Sequence, residues 1–417
     1  TKQAFGNLFS QVDYLCKAHG IKVADKIAIQ TMRRHSNSQE PLSSEDLKYD
    51  ARALAIFISA VFRVDVPHEL NVLIPHTNRP YQKGLEINNR RIRCIVKNWD
   101  SDFIRVDIDQ DADEEEYLVQ LKDEENHIDH TYLWDILKEG MQLNLLDCQV
   151  KQPIITPRLI VVEPDYLVDI SSIATCFTAF GHHPLLYLLN LMKPRANTQA
   201  TLLGNFAGAA LDDIINSHGK YQVNETVKSN FREKALEFCT CPWFDAKKFY
   251  TDASLQAFNL QQVVDILFPR TASQAQMSAF RGESLYDRKK AILEPSFVCE
   301  ALGIQGRVDL MTTDCKLLVE QKSGRNMNIE THQVDPGYHS YQLEPHYVQL
   351  LLYYGVLQHN FKLSNDRVNI RLLYSKYQPQ DGLMVVAYYH KLFQEAITYR
   401  NQLVAASFEI AKEGFEH

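Results

Sequence analysis

Long apolar runs are absent from these 417 residues. No stretch of about eighteen consecutive apolar residues occurs, which excludes a transmembrane helix. The opening TKQAFGNLFSQVDYL lacks a charged head followed by an apolar core and a small-residue cleavage site, so no secretory leader is expected. An initiator Met is missing too, and the chain is expected to be a piece of something longer. Cysteine is sparse and scattered: Cys16, Cys94, Cys148, Cys176, Cys239, Cys241, Cys299 and Cys315. That density excludes a disulfide framework and implies reduced, mostly buried thiols of a cytoplasmic protein. Only Cys239 and Cys241 stand close together, and C-x-C alone carries little metal specificity. No G-x₄-G-K-[ST] occurs, so the chain holds no recognisable phosphate loop for an ATP-driven motor. Positive charge is short as well: 44 Lys and Arg against 52 Asp and Glu leave a formal net charge of −8. By itself that balance argues against a nucleic-acid partner. The acidic excess is concentrated at 107–125, however, while RRH at 33–35, NRRIR at 89–93 and DRKK at 287–290 are basic. A local basic groove is compatible with an acidic total.

What is present divides by hydrophobic period. Residues 1–70 show apolar spacing of three to four, with Ser43 or Ser44 as a candidate N-cap, and predict a helical segment. From 71 to 157 the pattern shortens to β-rich runs such as RRIRCIVKNW, FIRVDID and EYLVQL, which predict a small barrel or sandwich, with an OB or SH3-like barrel as candidates. Beyond Pro164 helices return, including QATLLGNFAGAALDDIINSH, where Gly204 and Gly208 share one face. Strands are predicted again in the hairpin at 304–325, in RVNIRLLYSKY and in LMVVAYYH, with a last helix over 391–413.

The hairpin IQGRVDLMTTDCKLLVEQKSGR, residues 304–325, places three charges where Val or Ile is expected. With a loop at Thr313–Lys316, Thr312 pairs with Leu317 and Asp309 faces Glu320, while Lys322 shares the face of Glu320. A slip of one residue would separate Asp309 from the other two. Two carboxylates and an ammonium on a mostly buried sheet face are unfavourable without compensation. Mg²⁺ or Mn²⁺ supplies it, taking oxygen ligands while leaving positions for water and a substrate phosphate. Lys322 can then hold the attacking water and oppose charge developing on phosphorus, a layout for phosphodiester hydrolysis. An ordinary salt bridge on a surface hairpin fits the same spacing. Apolar flanks, Gly306-Arg307 ahead of the strand, and Gln349 and Tyr353 at i and i+4 on a following helix favour a site.

The stretches GRVDLM, LLVEQKSG and HYVQLLLYYGVL resemble motifs II, III and Q-x₃-Y of the PD-(D/E)XK nucleases of the RecB type. Upstream, RLIVVEPDYLVDISSIATCFTAF is similar to the entry segment of the nuclease domain in nuclease–helicases that trim replication flaps. The resemblance spans roughly 158–413 by motif and 71–157 by architecture only; for 1–70 there is none. It implies an α/β, restriction-endonuclease-like core over 158–417, a mixed sheet flanked by helices. An OB-like β-barrel at 71–157 and a helical segment at 1–70 precede it. The implied activity is a metal-dependent deoxyribonuclease for single-stranded ends or flaps in DNA replication and repair. An ATP-dependent helicase domain in the longer protein is the implied partner, with a stand-alone nuclease as the equal alternative. Carried over, Asp309 and Glu320 bind metal, Gln321 lends its main-chain carbonyl, and Lys322 is the catalytic lysine. Gln349 and Tyr353 orient the active site and the DNA backbone.

Two departures qualify the resemblance. Motif I is usually G-x₃-H with a metal-binding histidine; here Gly208 stands at that place, and Asp212, one turn on, is either the substitute ligand or part of a solvated acidic helix end. Relatives with an iron–sulfur cluster use one cysteine before the core and three after it. Cys176 matches the first, but nothing follows Cys315, so no cluster is expected in this chain. For the barrel, Arg90, Arg91, Arg93 and Trp99 are candidates to grip a strand by charge and stacking, with a solvated strand face as the alternative for the arginines. Two competing functions remain: a nucleic-acid-binding or scaffolding module with a degraded nuclease fold, and hydrolysis of another phosphodiester or nucleotide.

Overall fold

The structure, a computed structural model, describes residues 8–37, 41–79, 90–108, 116–194, 197–217, 219–334, 341–364 and 367–414. Part of the acidic 107–125 segment and part of the loop before Gln349 lie outside them. The chain is mixed α/β and divides into two compact units. One comprises Thr1–Leu167, Glu300–Gly303 and Asn401–His417; the other comprises Val168–Cys299 and Ile304–Arg400. No described helix is long and apolar enough to cross a membrane.

The first unit opens with helices Leu8–Ala18, Val23–Asn37 and Ser44–Phe62, packed through Val12, Cys16, Ile29 and Ala53. Ser43 is the cap of the third: its hydroxyl accepts from Asp46 N at 3.1 Å, and the Asp46 carboxylate accepts from Ser43 N at 3.3 Å. A seven-stranded sheet follows. Its spatial order is Gln149–Lys151, Ile154–Thr156, Tyr117–Gln120, Phe103–Ile108, Arg91–Trp99, Gln142–Leu146, Leu159–Val162. Strand Phe103–Ile108 alternates, with Ile104, Val106 and Ile108 in a core with Ile92, Cys94, Leu143 and Val162, while Gln142–Leu146 and Leu159–Val162 are buried along their whole length.

The expected barrel is not closed among the described residues, because the two end strands pair with no further strand. Asn401 gives the physical reason. Its Oδ1 accepts from Val162 N at 3.0 Å and its Nδ2 donates to the Ile160 carbonyl at 2.8 Å. A side chain from helix His390–Glu413 thus satisfies the buried edge that a closing strand would have taken.

The second unit is built on a five-stranded sheet in the order Ala291–Leu293, Leu310–Thr312, Leu317–Lys322, Asn369–Tyr374, Leu383–Val385. All neighbours are antiparallel except the central pair, Leu317–Lys322 with Asn369–Tyr374, which is parallel. Helices Gln199–Asn216 and Ala246–Leu267 cover one face, burying Leu202, Phe206, Ala210, Ala253 and Leu260 against Leu310, Val319 and Leu373. Their starts are capped by Thr198 and Asp245. Helix Glu344–Phe361 meets the other face, where its N-terminal Leu343 N–H and His346 both reach the Tyr374 hydroxyl. Residues Tyr347 to Leu357 of that helix are all buried, so the helix is a core element with no solvated face along that stretch.

Two expected strands differ. LMVVAYYH pairs only over Leu383–Val385, because the carbonyls of Val386 and Ala387 accept from the hydroxyls of Tyr354 and Tyr347 instead. The first arm of the hairpin is split. Ile304–Arg307 belongs to a small sheet with Ser296–Cys299 and Val168–Asp169, and the chain enters the main sheet only at Leu310. Asp309 therefore lies at the joint between two sheets, just ahead of a strand rather than within one.

Candidate active site

The register around Asp309 is that of the short loop: Leu310 pairs with Val319 and Met311 with Leu318, which sets Asp309 opposite Glu320. Asp309 Oδ2 accepts from the Gln321 main-chain N–H at 2.6 Å. Glu320 and Lys322 share a face, and Lys322 Nζ donates to Glu320 Oε1 at 2.8 Å. Glu320 is 4% exposed, and its second oxygen, Oε2, is buried with no hydrogen-bond partner among the described residues. Burial pushes the Glu320 carboxyl up to about 7; Lys322 opposes the shift and Asp309 adds to it. The Asp309 carboxyl is raised as well, chiefly by burial, with the Gln321 N–H and Lys322 pulling the other way.

Helix Glu344–Phe361 supplies the facing wall. Tyr353 Oη donates to the Arg307 carbonyl at 2.7 Å, fixing the backbone that leads into Asp309. This approach needs a glycine: a Cβ on Gly306 would lie 3.0 Å from Ile170 Cδ1 and 3.1 Å from Tyr353 Oη. Gln349, one turn before Tyr353, is buried and makes no side-chain hydrogen bond among the described residues. His346 precedes it by three. Its Nδ1 lies 2.7 Å from Tyr374 Oη, and burial, assisted by Lys322, pulls its imidazole down to about 3, so the ring is neutral at neutral pH.

Helix Gln199–Asn216 approaches from the opposite face, where the Gly204 Cβ position is 3.2 Å from Ser323 Oγ. Gly208 borders open space. Asp212 is raised to about 6 by burial first, then by Glu294, Asp309 and Asp213, with Arg307 opposing. Its electrostatic neighbours are thus Glu294 and Asp309 rather than Glu320 and Lys322. Asp213 turns elsewhere, accepting from Thr226 Oγ1.

The basic residues of the first unit are engaged locally. Arg91 Nη2 lies 3.6 Å from Glu300 Oε2. Arg93 donates to Asp165 at 3.0 Å and to Asn144 at 3.1 Å. Trp99 packs on the sheet core, while Arg90 is exposed in the turn before Arg91–Trp99. Cys176 is buried, with its thiol pushed up to about 12 by burial.

Sequence reasoning missed two neighbours of the site, His346 and Glu294, and singled out Arg307 without its pairing to Glu294. The i, i+3 relation of His346 to Gln349 was a usable signal. Glu294 had none, since it is brought in by strand Ala291–Leu293, whose pairing with Leu310–Thr312 is set by the fold. Its main-chain N–H donates to the Asp309 carbonyl at 3.0 Å, and its carboxylate pairs with Arg307 at 3.0 Å.

No protein-family model matches the sequence, and no curated protein matches it. Among solved structures, a Eubacterium rectale protein named "Putative exonuclease" overlaps 60% of this chain and 84% of its own, at 11% identity and a TM-score of 0.35. A TM-score of 0.35 lies below that of a shared fold, so the functional reading rests on the site itself.

Proposed function

We propose that the chain is a divalent-metal-dependent PD-(D/E)XK nuclease of the RecB type, with the Leu317–Lys322 sheet as its restriction-endonuclease-like core. Its substrate is DNA with single-stranded ends or flaps, and its partner a helicase domain of a longer protein. The observation that carries this reading is the unfinished electrostatics at Glu320. A Glu320 carboxylate oxygen is buried without a partner among the described residues, beside the half-buried Asp309 carboxyl and a lysine. A cation relieves that arrangement, and carboxyl oxygens are the donors Mg²⁺ and Mn²⁺ prefer. Among the described residues no three His, Cys, Asp or Glu side chains are gathered around one point. Two carboxylates suffice for Mg²⁺, which ordinarily adds water and substrate phosphate to one or two protein ligands.

Asp309 and Glu320 would hold the ion, with the Gln321 carbonyl as a further oxygen donor; Asp212 is not gathered with both of them and would join only by moving toward the ion. When bound, the ion polarises a phosphoryl oxygen and neutralises developing charge. Lys322 holds the attacking water and offsets negative charge on the phosphoryl group. The water oxygen bonds phosphorus, one P–O bond breaks, and the leaving oxygen departs with a proton. Tyr353 keeps the Arg307–Asp309 backbone in place, and Gln349 offers an uncommitted amide to the DNA backbone. Arg90, Arg91, Arg93 and Trp99 are the proposed strand contacts of the first unit.

The test is cleavage of labelled single- and double-stranded DNA with Mg²⁺ or Mn²⁺. Glu320→Ala and Lys322→Ala should each lower the rate by at least about a hundredfold. One observation favours a second reading, a catalytically weakened nucleic-acid-binding module: open space at Gly208 where a ligand would stand. DNA binding without cleavage under every metal condition would select it.

A further inference from the structure

Behind the proposed site runs a chain of buried amides that the chemistry does not use. Gln321 Nε2 donates to Ser375 Oγ at 2.7 Å, Ser375 Oγ donates to Gln256 Oε1 at 2.6 Å, and Gln256 Nε2 donates to the Ser323 carbonyl at 3.0 Å. The donors all point the same way, and the circuit begins and ends on the segment that carries Lys322. Ser375 N closes the interval by donating to the Lys322 carbonyl at 2.9 Å. Asn259, on the same helix as Gln256, donates to the Ser375 carbonyl at 2.9 Å and holds the serine from behind. Gln256, Asn259 and Ser375 are each 2% exposed or less.

A helix that only packed on this sheet would present apolar side chains here, as Ala253, Ala257 and Leu260 do on either side. Buried amides are unfavourable unless paired, and paired networks fix one geometry more sharply than packing does; here Gln321 Nε2, Ser375 Oγ and both ends of the Gln256 amide are paired, while Asn259 Oδ1 has no partner among the described residues. What this network fixes is the end of strand Leu317–Lys322. The carbonyls of residues 322 and 323 and the side chain of residue 321 are all held, so the backbone that projects Lys322 toward Glu320 has little freedom to turn. We propose that Gln256 is a positioning residue for Lys322, acting through Ser375 and the Ser323 carbonyl on the side of the sheet away from the reacting atoms.

This inference rests on the proposed reading of Lys322, and the experiment separates the two. Gln256→Met keeps the volume of the side chain and removes both hydrogen bonds. Val264→Ala, on the same helix, loosens the same core without touching the circuit. Displacing a reacting group by a fraction of an ångström to one ångström slows a reaction by roughly tenfold to a hundredfold. Gln256→Met is therefore expected to lower kcat by that factor with KM unchanged, and Val264→Ala to lower the melting temperature while keeping kcat. Amide exchange at residues 321–323 and the rate of Lys322 modification by an amine reagent provide a second readout that needs no turnover. Both should rise in Gln256→Met and stay at the wild-type level in Val264→Ala. Wild-type kcat with unchanged Lys322 reactivity in Gln256→Met overturns the inference, as does equal loss of kcat in both variants. If the wild-type protein cleaves nothing, the nuclease reading fails, and the exchange and labelling data still decide whether Gln256 positions Lys322.

Discussion

At the scale of single residues, Glu320 is the group on which most turns. Its carboxyl is raised from the usual range to about 7, so the folded protein holds a proton that the unfolded chain releases near pH 4.5. The associated stability is complete below that pH and is lost as pH rises to about 7. In chelator, the melting temperature should fall across this window, and Glu320→Gln should flatten the fall. Metal affinity should run the other way, rising as Glu320 ionises, which calorimetric Mg²⁺ or Mn²⁺ titration at a series of pH values can read. Asp212, raised to about 6, titrates within the same window. Asp212→Ala should weaken metal binding measurably; an unchanged affinity removes it as a ligand. Gly208 gives the complementary gain. With open space around its Cβ position, Gly208→His adds a residue of better helix propensity and a ring nitrogen on the helix face nearest the site, and should tighten metal binding.

Elements are joined here by a few polar contacts as much as by apolar packing. Asn401 replaces a strand at the edge of the seven-stranded sheet, pairing with both Val162 N and the Ile160 carbonyl. Asn401→Leu removes both of those buried hydrogen bonds and should destabilise the protein by about 1–3 kcal/mol, measured by urea unfolding. Helix Glu344–Phe361 meets the site through Tyr353, and Gly306 is what admits the hydroxyl. Gly306→Ala should cost about 1–3 kcal/mol and displace the Tyr353 contact, lowering cleavage more than Tyr353→Phe does if the backbone position matters more than the hydrogen bond. Much of this scale was readable in sequence. The Ser43 cap, the amphipathic helices and the turn at Thr313–Lys316 follow from local pattern. The split of the hairpin's first arm was not readable: the apolar run through Gly306, Val308 and Leu310 is continuous, and only pairing partners elsewhere divide it between two sheets.

For the whole molecule, the two units raise separate questions. The first carries the proposed strand contacts, but Arg91 and Arg93 already face Glu300 and Asp165. If they bind DNA, Asp165→Asn should strengthen binding by releasing Arg93, and Arg93→Ala should weaken it, both with shallow salt dependence for one phosphate contact. The second unit holds Cys176 buried among protein groups, its sulfur near the Ser172 and Pro184 carbonyls. An absorption band near 400 nm with stoichiometric iron in the purified protein would contradict the expectation that this chain carries no cluster.

The sequence by itself determined that Glu320 and Lys322 share one face of their strand, because a strand repeats every two residues. The place of Asp309 opposite Glu320, ahead of a strand, depends also on how two sheets divide the hairpin's first arm. Tertiary structure alone decided what surrounds them. Gln256 reaches Ser375 across 119 positions, and Asn401 reaches Ile160 across 241. Contacts of that range leave no periodic trace in the chain, because which buried amide meets which backbone group depends on how helices settle on a sheet.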